Sequence, residues 1–420
     1  MITLDDRGRS RRTLWHPFVV PSALALLLYA VAPAGAQQPN RLTLQKALEL
    51  ASRQNLDLAA ARQRRSVTQA GVRIARQLPN PTATVAVLRD TPHESLFFEQ
   101  PLEIGGKRHR RIELAQQNVG LTELEIDAVA RQTRRKTREA YYAAALAQGG
   151  SAQRGQAAQL ARRVREIAQA RYDAGDVPQL EVLQGDLEVS RAEAELSVAQ
   201  QREKIASSQL NALLNEPPET RWELDGALEE LPPRLALPEL LQKAESFNAD
   251  LQHLVQEQKV EQSRQALLRA ERIPTLNVQF GADFNSPPSF RVGGRSQLSL
   301  MLPIFTRNQG EIAQSAASQR LLEGEIAATR RAVAGRVEAA YFDWNARQTQ
   351  VELYRASLLP ATRRLEGLAE ESYRAGRANL LTVLDAQRNV QQTERDYLDS
   401  LLALQAAFAG LEEAIGAPLD

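Results

Sequence analysis

The second half of the chain repeats the first, and this constrains the fold more than any single motif does. Leu44, Leu48, Ala51, Asn55 and Leu58 recur as Leu237, Leu241, Ala244, Asn248 and Leu251, each 193 residues later, and Pro81 recurs as Pro274 at the same offset. Pro101 in Gln100-Pro101-Leu102 then matches Pro303 in Leu302-Pro303-Ile304, and Tyr141 matches Tyr341. Tyr172-Asp173-Ala174-Gly175 matches Tyr373-Arg374-Ala375-Gly376, Val182-Leu183 matches Val383-Leu384, and Leu210 and Pro217 match Leu411 and Pro418. The matches keep their order and the offset drifts only from 193 to 202, so the chain is a tandem duplication of roughly residues 42–217 and 235–418. Between the copies, Pro217, Pro218, Pro232, Pro233 and Pro238 exclude a continuous helix. The expected organisation is a first repeat at 37–217, a linker at 218–236 with room for a small element near Trp222, and a second repeat at 237–420.

One unit therefore has to be explained, twice. Apolar spacing from Leu44 predicts a helix over 44–77, with Thr43 as its N-cap and Pro79-Asn80-Pro81 as its stop. In the second copy Leu276, Val278, Phe280, Ala282 and Phe284 alternate with polar residues. Asn285 to Gly294 reads as a turn, and Leu298, Leu300, Leu302 and Ile304 resume the alternation. Apolar and polar faces at period two, in strands of about 9–11 residues, fit transmembrane barrel strands, although an ordinary half-buried hairpin shows the same alternation. The first copy carries the weaker version at Thr82–Leu88 and Ser95–Leu102. No proline then occurs between Pro101 and Pro178, and a helix over 107–172 would span roughly 100 Å, a length suited to a coiled-coil-like wall. Gly149-Gly150 marks an expected irregularity in it, Gly175 and Pro178 turn the chain, and a helix over about 180–213 returns. Each unit is thus one long helical column beside two short helices in line. Two units supply four strands, too few to close a barrel around a pore, so several chains must share one; three would supply twelve.

Composition narrows the function. The 52 basic and 51 acidic residues leave a net charge of +1, without the basic excess of a nucleic-acid binder. Cysteine is absent, which excludes thiolate metal sites and a lipidated N-terminal cysteine. Arg7, Arg9, Arg11 and Arg12, an apolar stretch from Pro17 to Val31, and Ala34-Gly35-Ala36 predict a signal peptide at 1–36. The Arg11-Arg12 pair leaves the export route open. His93, His109 and His253 are scattered, and no metal cluster, catalytic triad or phosphate loop emerges.

The junction Gln77-Leu78-Pro79-Asn80-Pro81, the run Phe98-Glu99-Gln100-Pro101-Leu102-Glu103-Ile104-Gly105-Gly106-Lys107-Arg108 and the paired Tyr-x-x-Gly turns resemble the TolC-type outer-membrane efflux proteins, most closely their heavy-metal (CzcC-like) branch. The resemblance covers almost all of 42–418. It implies a mainly helical chain contributing four strands to a twelve-stranded outer-membrane β-barrel shared by a homotrimer, with a helical barrel reaching into the periplasm. It also implies no enzymatic activity and no cofactor. The expected partners are a periplasmic adaptor, an inner-membrane pump of the RND type and outer-membrane lipid. The cargo would be heavy-metal cations; drug efflux, type I protein secretion and a non-channel coiled-coil scaffold are the competing readings. The resemblance places a periplasmic gate at Asp385, at Thr382 (a position often acidic in the family) and at Glu181 in the first copy. It places adaptor contacts at Gly175, Asp176, Val177, Gly376, Arg377 and Ala378. Lys107-Arg108-His109-Arg110-Arg111 would sit at the barrel's periplasmic rim.

Overall fold

The protein is described by a computed structural model covering residues 40–225, 235–286 and 288–419. The expected signal segment and the middle of the linker lie outside the described residues. The helix expected over 44–77 is two helices, α1 (Leu44–Gln54) and α2 (Leu56–Arg76), broken at Asn55. In the second copy α5 (Leu237–Phe247) and α6 (Ala249–Glu271) are broken at Asn248. The two asparagines have nearly the same extended backbone, with ψ of 126° and 129°, and each side chain works at both ends. Asn55 Oδ1 accepts from Leu58 N at 3.1 Å, capping α2, while its Nδ2 donates to Leu213 O at 3.1 Å. Asn248 Oδ1 accepts from Asp250 N and Leu251 N, and its Nδ2 donates to Ala414 O at 2.8 Å. Leu213 and Ala414 end the returning helices α4 (Gln179–Leu214) and α9 (Leu380–Ile415), whose last carbonyls have no partner within their own helix. One amide thus starts one helix and finishes another.

The strands form one antiparallel sheet, β2 (Thr82–Val87), β3 (Glu94–Leu102), β5 (Thr275–Ser286) and β6 (Phe290–Met301), in that order. Within the turn expected over 285–294, β5 continues to Ser286 and β6 is already under way at Phe290. Gly293 and Gly294 are strand residues opposite Asp283 and Ala282; glycine there signals the ladder's tolerance, not a turn. One face carries Val85, Val87, Phe98, Phe280, Leu298 and Leu300, all exposed, with Phe98 and Phe280 stacked at 6.0 Å. Among the described residues, the outer edges of β2 and β6 have no partner strand.

The first long helix, α3 (Lys107–Asp173), has 67 residues and runs unbroken through Gly149-Gly150, contrary to the irregularity expected there. The irregularity belongs to the second copy, where α7 (Gln309–Leu353) passes through a π-helical turn, Tyr354–Leu358, into α8 (Leu359–Arg374). Pro360 lies just past that turn; it lacks an amide proton, and one extra residue in the turn re-registers the ladder around it.

The main core gathers at mid-height, around Leu42, Tyr141, Leu210, Leu240, Trp344, Leu404 and Leu411. The linker contributes β4 (Trp222–Leu224), parallel to β1 (Asn40–Leu42). The Tyr141 hydroxyl lies 2.9 Å from Leu42 O and 3.0 Å from Asp225 O, tying both segments to α3. Burial pushes that phenol up to about 12. A smaller core at the far end joins Val164 of α3 to Tyr373, Leu380, Val383 and Leu384.

Candidate functional site

The far end is built by the duplicated Tyr-x-x-Gly turns. Gly175 (φ 81°) and Gly376 (φ 67°) take the left-handed conformation that ends a helix. Gly175 N donates to Tyr172 O and Asp176 N to Arg171 O; Gly376 N donates to Tyr373 O and Arg377 N to Ser372 O. Both copies therefore close with the same paired backbone bonds. Gly175, Asp176, Gly376 and Arg377 are exposed and Ala378 is half-buried, whereas Val177 is buried beneath its turn.

Side chains break the symmetry. Tyr373 is 3% exposed, whereas Tyr172 is 40% exposed. The Tyr373 hydroxyl donates to Glu181 Oε2 at 3.3 Å, and the Arg171 guanidinium lies over its ring at 5.1 Å. Burial raises the Tyr373 pKa, opposed by the hydrogen bond from Arg171. Glu181 is therefore drawn into a contact between the first copy's tip and the second's. Asn379, where the first copy has Pro178, caps α9: its Oδ1 accepts from Thr382 N at 3.0 Å and from the Thr382 hydroxyl at 2.9 Å. Asp385 is more than half exposed and lies 3.6 Å from Arg388, which also pairs with Glu188 of α4 at 3.2 Å. Of the three residues read as a gate, Glu181 and Asp385 thus take part in links between the copies, while the Thr382 hydroxyl serves a local cap. Sequence reading treated the tyrosines only as turn markers and passed over Arg171, Glu188 and Arg388. The signal available was that the turn tyrosine recurs in both copies beside a different set of charges.

At the opposite end the basic run proves to be a joint. Lys107 Nζ donates to Thr275 Oγ1 at 2.7 Å. Arg108 donates to Arg76 O, and Arg111 to Ala75 O, Gln77 O and the Glu103 carboxylate. These arginines satisfy the last carbonyls of α2 where helix passes into strand. The sheet face opposite the apolar one is polar: Ser95 Oγ donates to Asp283 Oδ1 at 2.7 Å, Asp283 pairs with Arg295 at 2.9 Å, and Arg295 lies over the Phe97 ring. A sheet apolar on one side and polar on the other suits lipid outside and water inside. Among the described residues no three histidine, cysteine or carboxylate side chains come together as a metal site, and no helix is long and apolar enough to cross a membrane.

Known proteins agree with this geometry. The family model for "Outer membrane efflux protein" matches the chain twice, at 47–216 and 240–417. The chain is 30% identical over 407 residues, 95% of each protein, to the cobalt-zinc-cadmium resistance protein CzcC of Cupriavidus metallidurans. Among solved structures, the outer membrane protein VceC of Vibrio cholerae aligns with a TM-score of 0.69 at 17% identity, over 90% of this chain and 97% of that one. A membrane protein of Pseudomonas aeruginosa aligns at 0.73 and 19% identity, over 89% and 92%. CusC, described as forming a transmembrane channel, aligns at 0.71 and 17% identity, again over 89% and 92%.

Proposed function

The chain belongs to the outer membrane efflux protein family, and from that premise we propose that it is the exit duct of a tripartite heavy-metal efflux system, working as a homotrimer. It is an outer-membrane efflux channel whose long helices occupy the periplasm. The observation that carries the oligomer is the open sheet. Four strands with two unpaired edges cannot stand in hydrocarbon, where every backbone polar group needs a partner. Three copies supply twelve strands, enough for a lumen. The heavy-metal cargo rests on the similarity to CzcC. A duct passes its cargo without holding it, so selection and energy come from an inner-membrane pump of the RND type reached through a periplasmic adaptor. Residues 37–217 and 237–420 are read as the two wall repeats, joined by the 218–236 linker.

In this reading the tip is the gate. Asp385, repeated around three chains, forms a carboxylate ring that attracts cations; Glu181 and its Tyr373 contact hold the two tips of one chain together. Gly175, Asp176, Gly376, Arg377 and Ala378 face the adaptor, with Val177 as support beneath. Single-channel recording from trimers in planar bilayers tests the duct: folded trimer without conductance would sink it. Deletion in the source organism tests the cargo; unchanged tolerance to cobalt, zinc and cadmium would remove the metal assignment while leaving the duct standing.

A further inference from the structure

The polar face of the sheet holds one charge out into the open. A single rung across three strands sets Phe97 of β3 opposite Gly281 of β5, and Gly281 opposite Arg295 of β6. Gly281 has no side chain, so the Arg295 side chain crosses it and lays its guanidinium over the Phe97 ring at 5.0 Å. The next rung toward the hairpin sets Ser95 opposite Asp283, and Asp283 opposite Gly293. Asp283 accepts from the Ser95 hydroxyl at 2.7 Å and pairs with Arg295 at 2.9 Å. The two partners are unequally placed: the Asp283 side chain is 8% exposed and that of Arg295 47%. The positive end of the pair is therefore the one that meets solvent. A guanidinium carries five N–H donors, more than one carboxylate can use.

Thr275 begins β5 beside Lys107 at the helix joint, and Ser286 ends it at the hairpin. With the helices in the periplasm, Arg295 and Asp283 lie in the outer half of the barrel. Resting on the trimeric duct proposed above, we infer that Arg295 of three copies forms a guanidinium ring in the outer half of the lumen, an anion-attracting station for small oxyanions. Its sign is opposite to that of the carboxylate ring proposed for the tip. The other charge that the strand pairings place on this face, Glu99, lies one rung inward opposite Gln279 and is half-buried. The charge presented to the lumen thus changes sign along its axis, from Glu99 to Arg295. A ring of cationic side chains concentrates anions and thins out cations near it. Its reach is set by screening, about 10 Å at 0.1 M salt and ~3 Å at 1 M. The aromatic ring, the buried carboxylate and the bare Gly281 together hold a long, flexible side chain in one place, which a merely solvated surface arginine does not need.

The chain has no cysteine, so one introduced thiol reports the local potential. Gln297 is exposed, lies on the same face and stands two residues from Arg295. Q297C protein, its mass measured by light scattering, would be placed in lipid nanodiscs and reacted with a sulfonate-bearing thiosulfonate and with its trimethylammonium counterpart. Both reagents meet the same thiolate, so the ratio of their rates, relative to that with a small free thiol, cancels changes in thiol pKa and reports the field. The anionic reagent should be favoured. Adding R295Q should lower the ratio roughly fivefold at about 0.05 M salt and hardly at all at 1 M. R295K should retain the ratio, and D283N, which leaves the guanidinium unneutralised, should raise it. A ratio that R295Q leaves unchanged, or changes equally at both salt concentrations, overturns the ring. If R295Q does not assemble, D283N decides: an unchanged ratio there overturns the ring as well. L298C, on the apolar face, should react with neither reagent. If Q297C is also closed to both, or the protein is monomeric, the water-filled trimeric lumen on which the inference rests fails instead.

Discussion

The two tips of this chain have the same backbone and different side-chain surroundings. Both close through the same pair of bonds after a left-handed glycine, yet Tyr373 is buried against Glu181 and Arg171 whereas Tyr172 is exposed. The difference is positional. Within one chain the second tip has the first beside it; Tyr172 of the first tip is left exposed among the described residues. The position equivalent to Glu181 is Thr382, occupied with its own cap. Duplication copies local structure faithfully, and the surroundings then assign different work to each copy.

Substitutions made in both copies can break that comparison or sharpen it. The largest effect is expected where the copies differ most, at Gly281, whose counterpart is Leu88. A Cβ at Gly281 would lie 2.1 Å from Leu96 O and 2.6 Å from the Phe97 ring. Gly281→Ala should therefore lower stability by about 3 kcal/mol, read as a loss of thermal stability in detergent, with Leu88→Gly nearly neutral. Comparable losses at the two sites would refute the assigned strand environment.

Tyr141 should come next. Its raised pKa means the fold holds the phenol proton more tightly than the unfolded chain does. Its stability contribution is thus complete below the ordinary tyrosine pKa of ~10 and falls as pH rises through about 12. Tyr141→Phe should cost about 2 kcal/mol at neutral pH and flatten the alkaline limb of a stability–pH profile. An unchanged limb would show that another group titrates there.

Asn55→Ala and Asn248→Ala should each cost about 1–2 kcal/mol, and equally to within ~0.5 kcal/mol, because each asparagine makes the same two kinds of bond. A clear inequality in urea or thermal melts would show that the joints are not equivalent. At the tip, Tyr373→Phe should cost about 1 kcal/mol and shorten closed times in bilayer recordings, while Tyr172→Phe changes neither. Equal effects would erase the asymmetry. A small stability effect, within ~0.5 kcal/mol, is expected from Thr382→Asp. That change should nevertheless raise cation selectivity; a reversal potential identical to that of the unaltered channel would count against the gate.

Much of the architecture was legible because it is written in periodicity. Helical stripes, alternating strands and a proline-free stretch specify element type and length residue by residue. The misreadings share a cause. Asn55 and Asn248 stood out as matches yet were absorbed into a helix, since their partners, the carbonyls of Leu213 and Ala414, lie far away in sequence. Gly293 and Gly294 read as a turn because glycine usually punctuates, but cross-strand pairing decided otherwise. Gly149-Gly150 read as a flaw, yet a helix packed on its neighbours tolerates glycine at a cost near 1 kcal/mol each; the real irregularity comes just before Pro360 in the other copy. At the tip proposed as the gate, sequence named Glu181 and Asp385 but not the partners Arg171, Arg388 and Glu188 or the buried role of Tyr373.

By itself the sequence determined that this chain is one unit used twice, with the order, length and two-faced character of each element. Those properties follow from local sterics and from the spacing of apolar residues, which travel with the copied segment. The tertiary structure alone decided which tyrosine is buried, which asparagine nitrogen ends which helix, and which strand edges stay open. Those depend on what lies next to a residue in space, and two identical segments in one chain cannot have identical neighbours.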